Sequence, residues 1–356
     1  MKENKSLVVE AKEAIDNLIK KSRVHLYKPI QIAEILYRDR VYKDINILNL
    51  EDYRSKSKQW RDEISLPLLG RICTSSSKFQ DNLFDDNAIP PRILSVLAKE
   101  NREGNGIVEA YIYGNFDKRY TQLSTALNYC KNADIENFSV KTFIDSFWSQ
   151  PGLKRSVDKL YEVIVYALFS TLIEKLNLQI SVSVASSSID LLGEFSDFAN
   201  KVMKLDTENR IYSQDAKVYR VGVTNAADRG LDMYSNWGPA IQVKHLSLDE
   251  ELAERIVSSI SSDNIVIVCK DAEKKVILSL LNQIGWKNRI QSIITENELV
   301  DWYEKALRGK YSSILGMVLL EKLITEIELE FPSLVKFPKQ ILDRNYQNIK
   351  SDFWSV

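Results

Sequence analysis

The stretch GLDMYSNWGPAIQVKH, Gly230 to His245, decides how this chain is read. Leu231-Asp232-Met233 is a short apolar run interrupted by a carboxylate. Ser235-Asn236-Trp237-Gly238-Pro239 is turn chemistry: glycine tolerates positive φ, proline fixes φ, and asparagine and serine close local hydrogen bonds. Ala240 to His245 then alternates strictly. Period-two geometry sends Ile241 and Val243 to one face of a strand and Gln242 and Lys244 to the other. The apolar face is expected on the core. The amide and the ammonium are expected to point together towards wherever Asp232 points.

Outward from this hairpin the elements fall in a recognisable order. Ser156 to Leu176 reads as a long amphipathic helix, QISVSVA (Gln179 to Ala185) as a β-rich run, and Ser188 to Val202 as helix. AKVYRVGVT (Ala216 to Thr224) reads as a strand before the hairpin. NIVIVCK (Asn264 to Lys270) is a continuous apolar run of the kind found in a buried central strand. AEKKVILSLLNQIGW (Ala272 to Trp286) reads as a helix and RIQSIIT (Arg289 to Thr295) as a further strand. Helix, successive strands, then alternating strand and helix argue for an α/β (α+β) fold, a mixed sheet flanked by helices.

The first 150 residues read differently. Leu7 to Tyr37 has helical periodicity with a break at Lys28-Pro29, and residues 62–100 look mostly helical with a stop at Pro90-Pro91. Gly104-Asn105-Gly106 is a turn, and IVEAYIYGNF (Ile107 to Phe116) after it reads as a strand. A linker at Ser149-Gln150-Pro151-Gly152 divides a largely helical region, 1–150, from the mixed-sheet region, 151–356. No internal repeat or low-complexity segment stands out.

Composition bounds the function. The chain has 356 residues, 44% hydrophobic and 27% charged, which is ordinary for a globular protein. No apolar run reaches the roughly 20 residues a bilayer requires. The longest candidate, Leu160 to Ile173, is interrupted by Glu162. MKENKSLVVEAKEAID at the N-terminus has no signal-peptide core, so a cytoplasmic protein without a membrane partner is expected. Cys73, Cys130 and Cys269 are too few and too scattered for a disulfide framework or a structural zinc site, and His25 and His245 are too few for a histidine metal site. There is no G-x-S-x-G nucleophile elbow and no G-x-x-x-x-G-K-[ST] loop.

An acid on one strand, with a lysine two residues beyond a polar position on the next, is the arrangement that metal-dependent phosphodiester hydrolysis uses. The acid and the polar side chain coordinate Mg²⁺, which lowers the pKa of an attacking water, and the lysine orients that water or stabilises charge on the phosphorus. Asp232-x9-Gln242-x-Lys244 has that order and resembles the PD-(D/E)xK nuclease superfamily. Gln242 stands where that superfamily usually has Asp or Glu. An amide oxygen can ligate Mg²⁺ but supplies no charge, so another carboxylate is expected to compensate. Glu162, inside KLYEVIVYALFSTLIEKL, is the local candidate, because superfamily members often carry an acid on the equivalent helix. The other reading places Glu162 on the wet edge of its helix.

VGVTNAADRGLDMYSNWGPAIQVKHLSL, YKPIQIAEILY, KSKQWRDEISLPLLGRICTSSSKFQDNLF and NGIVEAYIY together resemble the HaeII family of type II restriction endonucleases, over roughly Val24 to Trp286. The resemblance implies Mg²⁺-dependent cleavage of both strands of a short palindromic site in double-stranded DNA, normally by a homodimer. It also suggests a GC-rich palindrome with a GCGC core, and a DNA methyltransferase encoded nearby would fit. The helical region 1–150 is then the DNA-recognition region, and 151–356 the catalytic domain with C-terminal helices. Two alternatives stand beside it: a non-catalytic DNA-binding protein on a degenerate nuclease core, and a structure-specific repair nuclease.

Net charge is −1, so there is no global basic signature, but residues 21–80 carry 12 Lys and Arg against 7 Asp and Glu. Within YRSKSKQWR, Arg54, Lys56, Lys58 and Arg61 alternate with hydroxyls beside Tyr53 and Trp60, a composition suited to phosphate contact and base stacking. On a helix, 54, 58 and 61 share a face, and at least one of them is expected to touch a base edge. Asn225 and Arg229, in TNAADRG, stand just before Asp232 and could contact scissile-strand phosphate, or Asp228 and Arg229 could pair. His245, on the face opposite Lys244, is expected to pack or cap.

Overall fold

The computed structural model describes residues 2–73, 76–221, 231–272, 289–331 and 337–356. The chain forms two compact units: Met1–Ala133, Lys141–Leu160 and Ile327–Val356 make the first, and Asp134–Val140 with Tyr161–Glu326 make the second. The division is therefore not a single linker near residue 150. Gly152 is pressed into the first unit, where an added Cβ would lie 2.8 Å from Arg119 Cγ.

The first unit contains α1 (Lys2–Lys21), α2 (Tyr27–Val41), α3 (Lys56–Leu69), α4 (Ser77–Phe84), α5 (Pro91–Glu103) and α6 (Ile107–Lys131). Its centre is α2, whose Ile30, Ile32, Ala33, Ile35 and Leu36 are fully buried against α3, α5 and α6. A helix apolar around most of its circumference belongs in an interior. Its polar residues are satisfied there. Gln31 Nε2 donates to Ser57 Oγ at 2.8 Å and to Gln80 Oε1 at 2.6 Å. Glu34 accepts from Tyr113 Oη at 2.6 Å and from Arg344 at 2.7 and 2.8 Å. The break before α2 falls at Leu26, which takes left-handed φ of 49°. Pro29 lies in the first turn of α2, where its missing N–H has no intrahelical partner to lose.

IVEAYIYGNF is not a strand but the start of α6. Its β-branched and aromatic composition favours extended chain, yet burial at Val108, Ile112, Phe116 and Tyr120 recurs every four residues, a helical period. The neighbours reinforce the helix. Gly106 precedes it at φ 98°, with the Arg40 guanidinium 3.0 Å from where a Cβ would sit. Asn101 Oδ1 accepts both the Val108 and Glu109 N–H at 3.2 Å, capping its first turn.

α7 (Val140–Ser149) and α8 (Val157–Lys175) follow. In the second unit, β1 (Gln179–Ser183) pairs antiparallel with β2 (Ile211–Asp215). Between them run α9 (Ile189–Glu194), α10 (Ser196–Phe198) and a π turn, Ala199–Met203. A five-stranded sheet has the order β3 (Val218–Arg220), β4 (Met233–Ser235), β5 (Ala240–Leu248), β6 (Ile265–Ala272), β7 (Ile290–Thr295). β3, β4 and β5 are antiparallel neighbours, whereas β5, β6 and β7 are parallel. A parallel pair needs a crossover, and α11 (Glu250–Ser259) supplies the one between β5 and β6. The mixed α/β fold expected from the sequence is the fold observed.

The sheet is covered on both sides. Ala253, Ile256 and Val257 of α11 pack with Ala240, Ile265, Ile267 and Cys269. From the other side, Tyr161 of α8 donates to the Cys269 carbonyl at 3.2 Å, and its ring lies edge-on to His245 at 5.1 Å. α12 (Glu296–Arg308) is tied to α8 by Tyr303 Oη donating to the Ile164 carbonyl at 2.8 Å. β6 is the buried central strand that NIVIVCK predicts, and RIQSIIT becomes β7. AEKKVILSLLNQIGW lies outside the described residues beyond Ala272. No described helix is long and apolar enough to cross a membrane.

Candidate active site

The β4–β5 turn fixes the register on which the site depends. Gly238 adopts φ 125°, which the turn requires and only glycine takes readily. The Ser235 N–H donates to the Pro239 carbonyl at 2.9 Å. Asn236 pins the turn to the preceding strands, accepting the Lys217 N–H at 2.8 Å and donating to the Asp215 carbonyl at 2.9 Å. The resulting register pairs Met233 with Ile241 and Tyr234 with Ala240. One step further along, Asp232 stands opposite Gln242.

Three side chains meet there. Asp232 Oδ2 accepts the backbone N–H of Val243 at 2.8 Å and a hydrogen bond from Gln242 Nε2. Lys244 Nζ is 3.6 Å from the same oxygen. The Asp232 side chain is 12% exposed and that of Lys244 33%, while Gln242 is 1% exposed. The carboxylate and amide are therefore withdrawn from solvent, and the ammonium reaches it. Among the described residues, Gln242 Oε1 is buried with no hydrogen-bond partner. A buried carbonyl left so is destabilising unless a ligand or water satisfies it.

The side on which these groups lie is not an open face. Gln242 pairs with Ile267 and Lys244 with Cys269 in parallel register, so they share a face with the core under α11. Glu162 is 4% exposed, which removes it from the wet edge of α8. Among the described residues, no cluster of three or more His, Cys, Asp or Glu is set to hold a metal. His245 lies on the opposite face, 4% exposed, with Nε2 3.1 Å from Glu296 Oε2 and its ring against Tyr161. It is packed, as its alternation predicts.

The basic segment of the first unit divides. Arg54 precedes α3 and pairs with Asp81; Lys56 is exposed and Lys58 half-buried. Arg61 is fully buried. It donates to Asp62 at 2.6 Å, to Gln31 Oε1 at 3.2 Å and to the Cys73 carbonyl at 2.8 Å. The expectation that 54, 58 and 61 present one outward face is corrected: Arg54 lies outside the helix, and Arg61 is turned into the core because Gln31 and the Cys73 carbonyl need its donors. Asn225, Asp228 and Arg229 lie outside the described residues.

A pair of tyrosines at this corner is not among the residues that the sequence patterning singles out. Tyr219 and Tyr234 are register partners across β3 and β4, 40% and 44% exposed, with rings stacked at 5.2 Å and 22°. Tyr234 is two residues from Asp232 and so points to the same face. The alternation in LDMYS carries that signal.

The profile of the HaeII restriction endonuclease family matches residues 11–346. The chain is 57% identical over 338 residues to the type II restriction enzyme HaeII of Haemophilus aegyptius, covering 94% of this chain and 96% of that protein. It is 58% identical over 325 residues to the type II restriction enzyme NgoBI of Neisseria gonorrhoeae, covering 91% and 92%. No solved structure matches it. On this extent of similarity, covering the hairpin that carries Asp232, Gln242 and Lys244, the chain belongs to the HaeII restriction endonuclease family.

Proposed function

We propose that this chain is a type II restriction endonuclease, a site-specific deoxyribonuclease that cuts both strands of double-stranded DNA at a short palindrome. Similarity over more than nine-tenths of the chain to two proteins named as such enzymes supports the activity. The observation that carries the chemistry is the meeting of Asp232, Gln242 and Lys244, with an orphaned amide oxygen buried beside the carboxylate.

That donor set fits a hard divalent cation, magnesium, which takes oxygen ligands and keeps several waters. Asp232 would supply the charged oxygen and Gln242 Oε1 the neutral one; the third ligand expected from the sequence, Glu162, is buried on α8, whose Tyr161 packs on the His245 face of β5, opposite Gln242 and Lys244. When bound, magnesium supplies Lewis-acid polarisation of the phosphate and a water more easily deprotonated. The chain's own residues do the rest. The Val243 N–H fixes the rotation of the Asp232 carboxylate. Lys244 holds a positive charge where negative charge develops on the phosphate oxygens, and can orient the attacking water. Burial of Gln242 keeps competing water from the amide.

In this reading Arg54, Lys56 and Lys58 contact DNA from the first unit, Asn225 and Arg229 approach the scissile strand, and Tyr234 braces the backbone near the cut. A palindromic substrate calls for a homodimer, and self-protection calls for a partner methyltransferase acting on the same site. Incubating sequenced plasmid DNA with the chain and Mg²⁺, then mapping the ends, tests the cleavage activity and its site. Discrete fragments ending at one palindrome are expected. Intact DNA with retained specific binding would instead mark a degenerate nuclease core.

A further inference from the structure

β2 leads directly into β3. Ala216 and Lys217 alone separate them, and exposure alternates without a break along both strands. Ile211, Ser213, Asp215, Lys217 and Tyr219 are exposed, Tyr212 and Gln214 half-buried, Ala216 and Val218 buried. One side of an extended chain therefore runs from the β1–β2 ribbon to Tyr219. Tyr219 stacks on Tyr234, which shares its face with Asp232. The ribbon is also fixed to the turn of the catalytic hairpin. Asn236 donates to the Asp215 carbonyl and accepts the Lys217 N–H, and the Ala216 N–H donates to the Leu178 carbonyl at 2.8 Å.

On that side the register sets Gln179 opposite Asp215, Ser181 opposite Ser213 and Ser183 opposite Ile211, all of them exposed. Gln179 Nε2 donates to Asp215 Oδ1 at 2.5 Å, and the Ser181 and Ser213 hydroxyls are 2.8 Å apart. These pairs orient the side chains without exhausting their capacity, since an amide and a carboxylate each have further sites. Solvated strands are commonly blunted with lysine, and aspartate is depleted in strands generally. This face instead carries short hydrogen-bonding groups, one carboxylate and one isoleucine.

We propose that this face of the ribbon reads base edges in the major groove of duplex DNA, beside the phosphate that Asp232 and Lys244 address. The groove admits a two-stranded ribbon. From Gln179 to Ser183 the face spans ~13 Å, the length of about four base pairs. Asp215 accepts from cytosine N4, Gln179 and the serines exchange hydrogen bonds with base edges, and Ile211 meets a thymine methyl. Lys217, between the ribbon and Tyr219, takes a phosphate. Asp215 is what favours base reading over a general DNA surface, because a carboxylate that reads no base only repels phosphates.

This deepens the nuclease reading and rests on it, but the two can be overturned separately. Affinity is measured in Ca²⁺ for the duplex mapped by cleavage, for a scrambled duplex, and for the mapped duplex changed one base pair at a time. Asp215→Ala should weaken binding of the mapped duplex at least about fivefold, while the scrambled duplex binds as well or better. It should also become indifferent at a C·G pair where the wild type discriminates. Ser181→Ala with Ser213→Ala removes no charge and strands no buried group; it should keep the circular dichroism of the wild type and relax discrimination at a neighbouring position. If Asp215→Ala tightens both duplexes alike, the carboxylate is a bystander and the proposal is overturned. Selectivity unchanged in both variants overturns it too, with the nuclease reading intact. A wild type that cuts no duplex and prefers none overturns both together.

Discussion

Asp232 and Gln242 face each other across β4 and β5, and the amide nitrogen donates to the carboxylate while its oxygen, buried, has no hydrogen-bond partner among the described residues. A glutamine that lends its oxygen to a cation would look like this one before the cation arrives. Gln242→Glu should therefore retain cleavage and shift the metal concentration that supports it, because a second charge enters the site. Gln242→Ala should lower the cleavage rate by about 100-fold or more. Metal binding followed by calorimetry, without DNA, should weaken in the alanine variant and tighten in the glutamate one. Equal metal affinity in all three would remove Gln242 from the ligand set.

Asp232 and Lys244 act at the reacting phosphate and not on base identity. Asp232→Ala should abolish cleavage, and Lys244→Ala should lower it by about 100- to 1,000-fold, the range for removing one transition-state charge partner. Affinity for the specific site, measured with Ca²⁺ in place of Mg²⁺, should stay within about tenfold. Turnover like that of the wild type in either variant would sink the assignment.

Much of this site is legible in the amino-acid sequence. Strict alternation from Ala240 to His245, the Gly238-Pro239 turn and the apolar run ending at Cys269 set strand, turn and strand, and the register follows from the turn length. Alternation also places His245 away from Lys244. What alternation does not carry is depth. It separates two faces but not a covered face from an open one, so the burial of Gln242 beside the α11 core has no signature in it. The same blindness affects Arg61, whose neighbours in sequence are basic and wet but whose neighbours in space, Gln31 and the Cys73 carbonyl, come from 30 residues before and 12 after. Ile107 to Phe116 reads as a strand for a related reason: its cap, Asn101, sits on the previous helix, outside the local pattern.

Arg61 and the cations near it should consequently behave as different classes. Arg61→Ala removes a buried charge that holds α2, α3 and the Cys73 loop together and strands Asp62, so it should destabilise the chain by about 3 kcal/mol or more. Arg54→Ala, Lys56→Ala and Lys58→Ala touch side chains at or near the surface and should leave stability within about 0.5–1 kcal/mol. Their effect should be on DNA: each lost phosphate contact flattens the salt dependence of binding by roughly one unit of slope, and a lost base contact costs about 1–3 kcal/mol at one position. Chemical denaturation and binding at two salt concentrations separate the classes. A stable Arg61→Ala variant with relaxed specificity would reverse this assignment.

His25 gives the first unit a pH-dependent stability. Its ring is buried between Tyr27 and Phe331, stacked at 5.6 and 6.5 Å, and Nε2 lies 2.6 Å from Arg71 Nη2. An arginine can only donate, so that nitrogen accepts and the ring is neutral. Burial, then the charges of Arg71 and Arg23, hold its pKa down to about 3. In the unfolded chain the imidazole takes its proton near the ordinary value of about 6.5. Between those two values the unfolded state binds more protons, so this contribution is fully present above about pH 6.5 and is lost progressively as pH falls towards 3. At pH 5 the loss amounts to about 2 kcal/mol. His25→Gln offers Arg71 an amide oxygen without titrating. Urea unfolding at pH 7.5 and 5 should show the wild type losing about 2 kcal/mol more than this variant over the interval. If both lose the same amount, the acid sensitivity of the fold belongs to its carboxylates and His25 has no part in it.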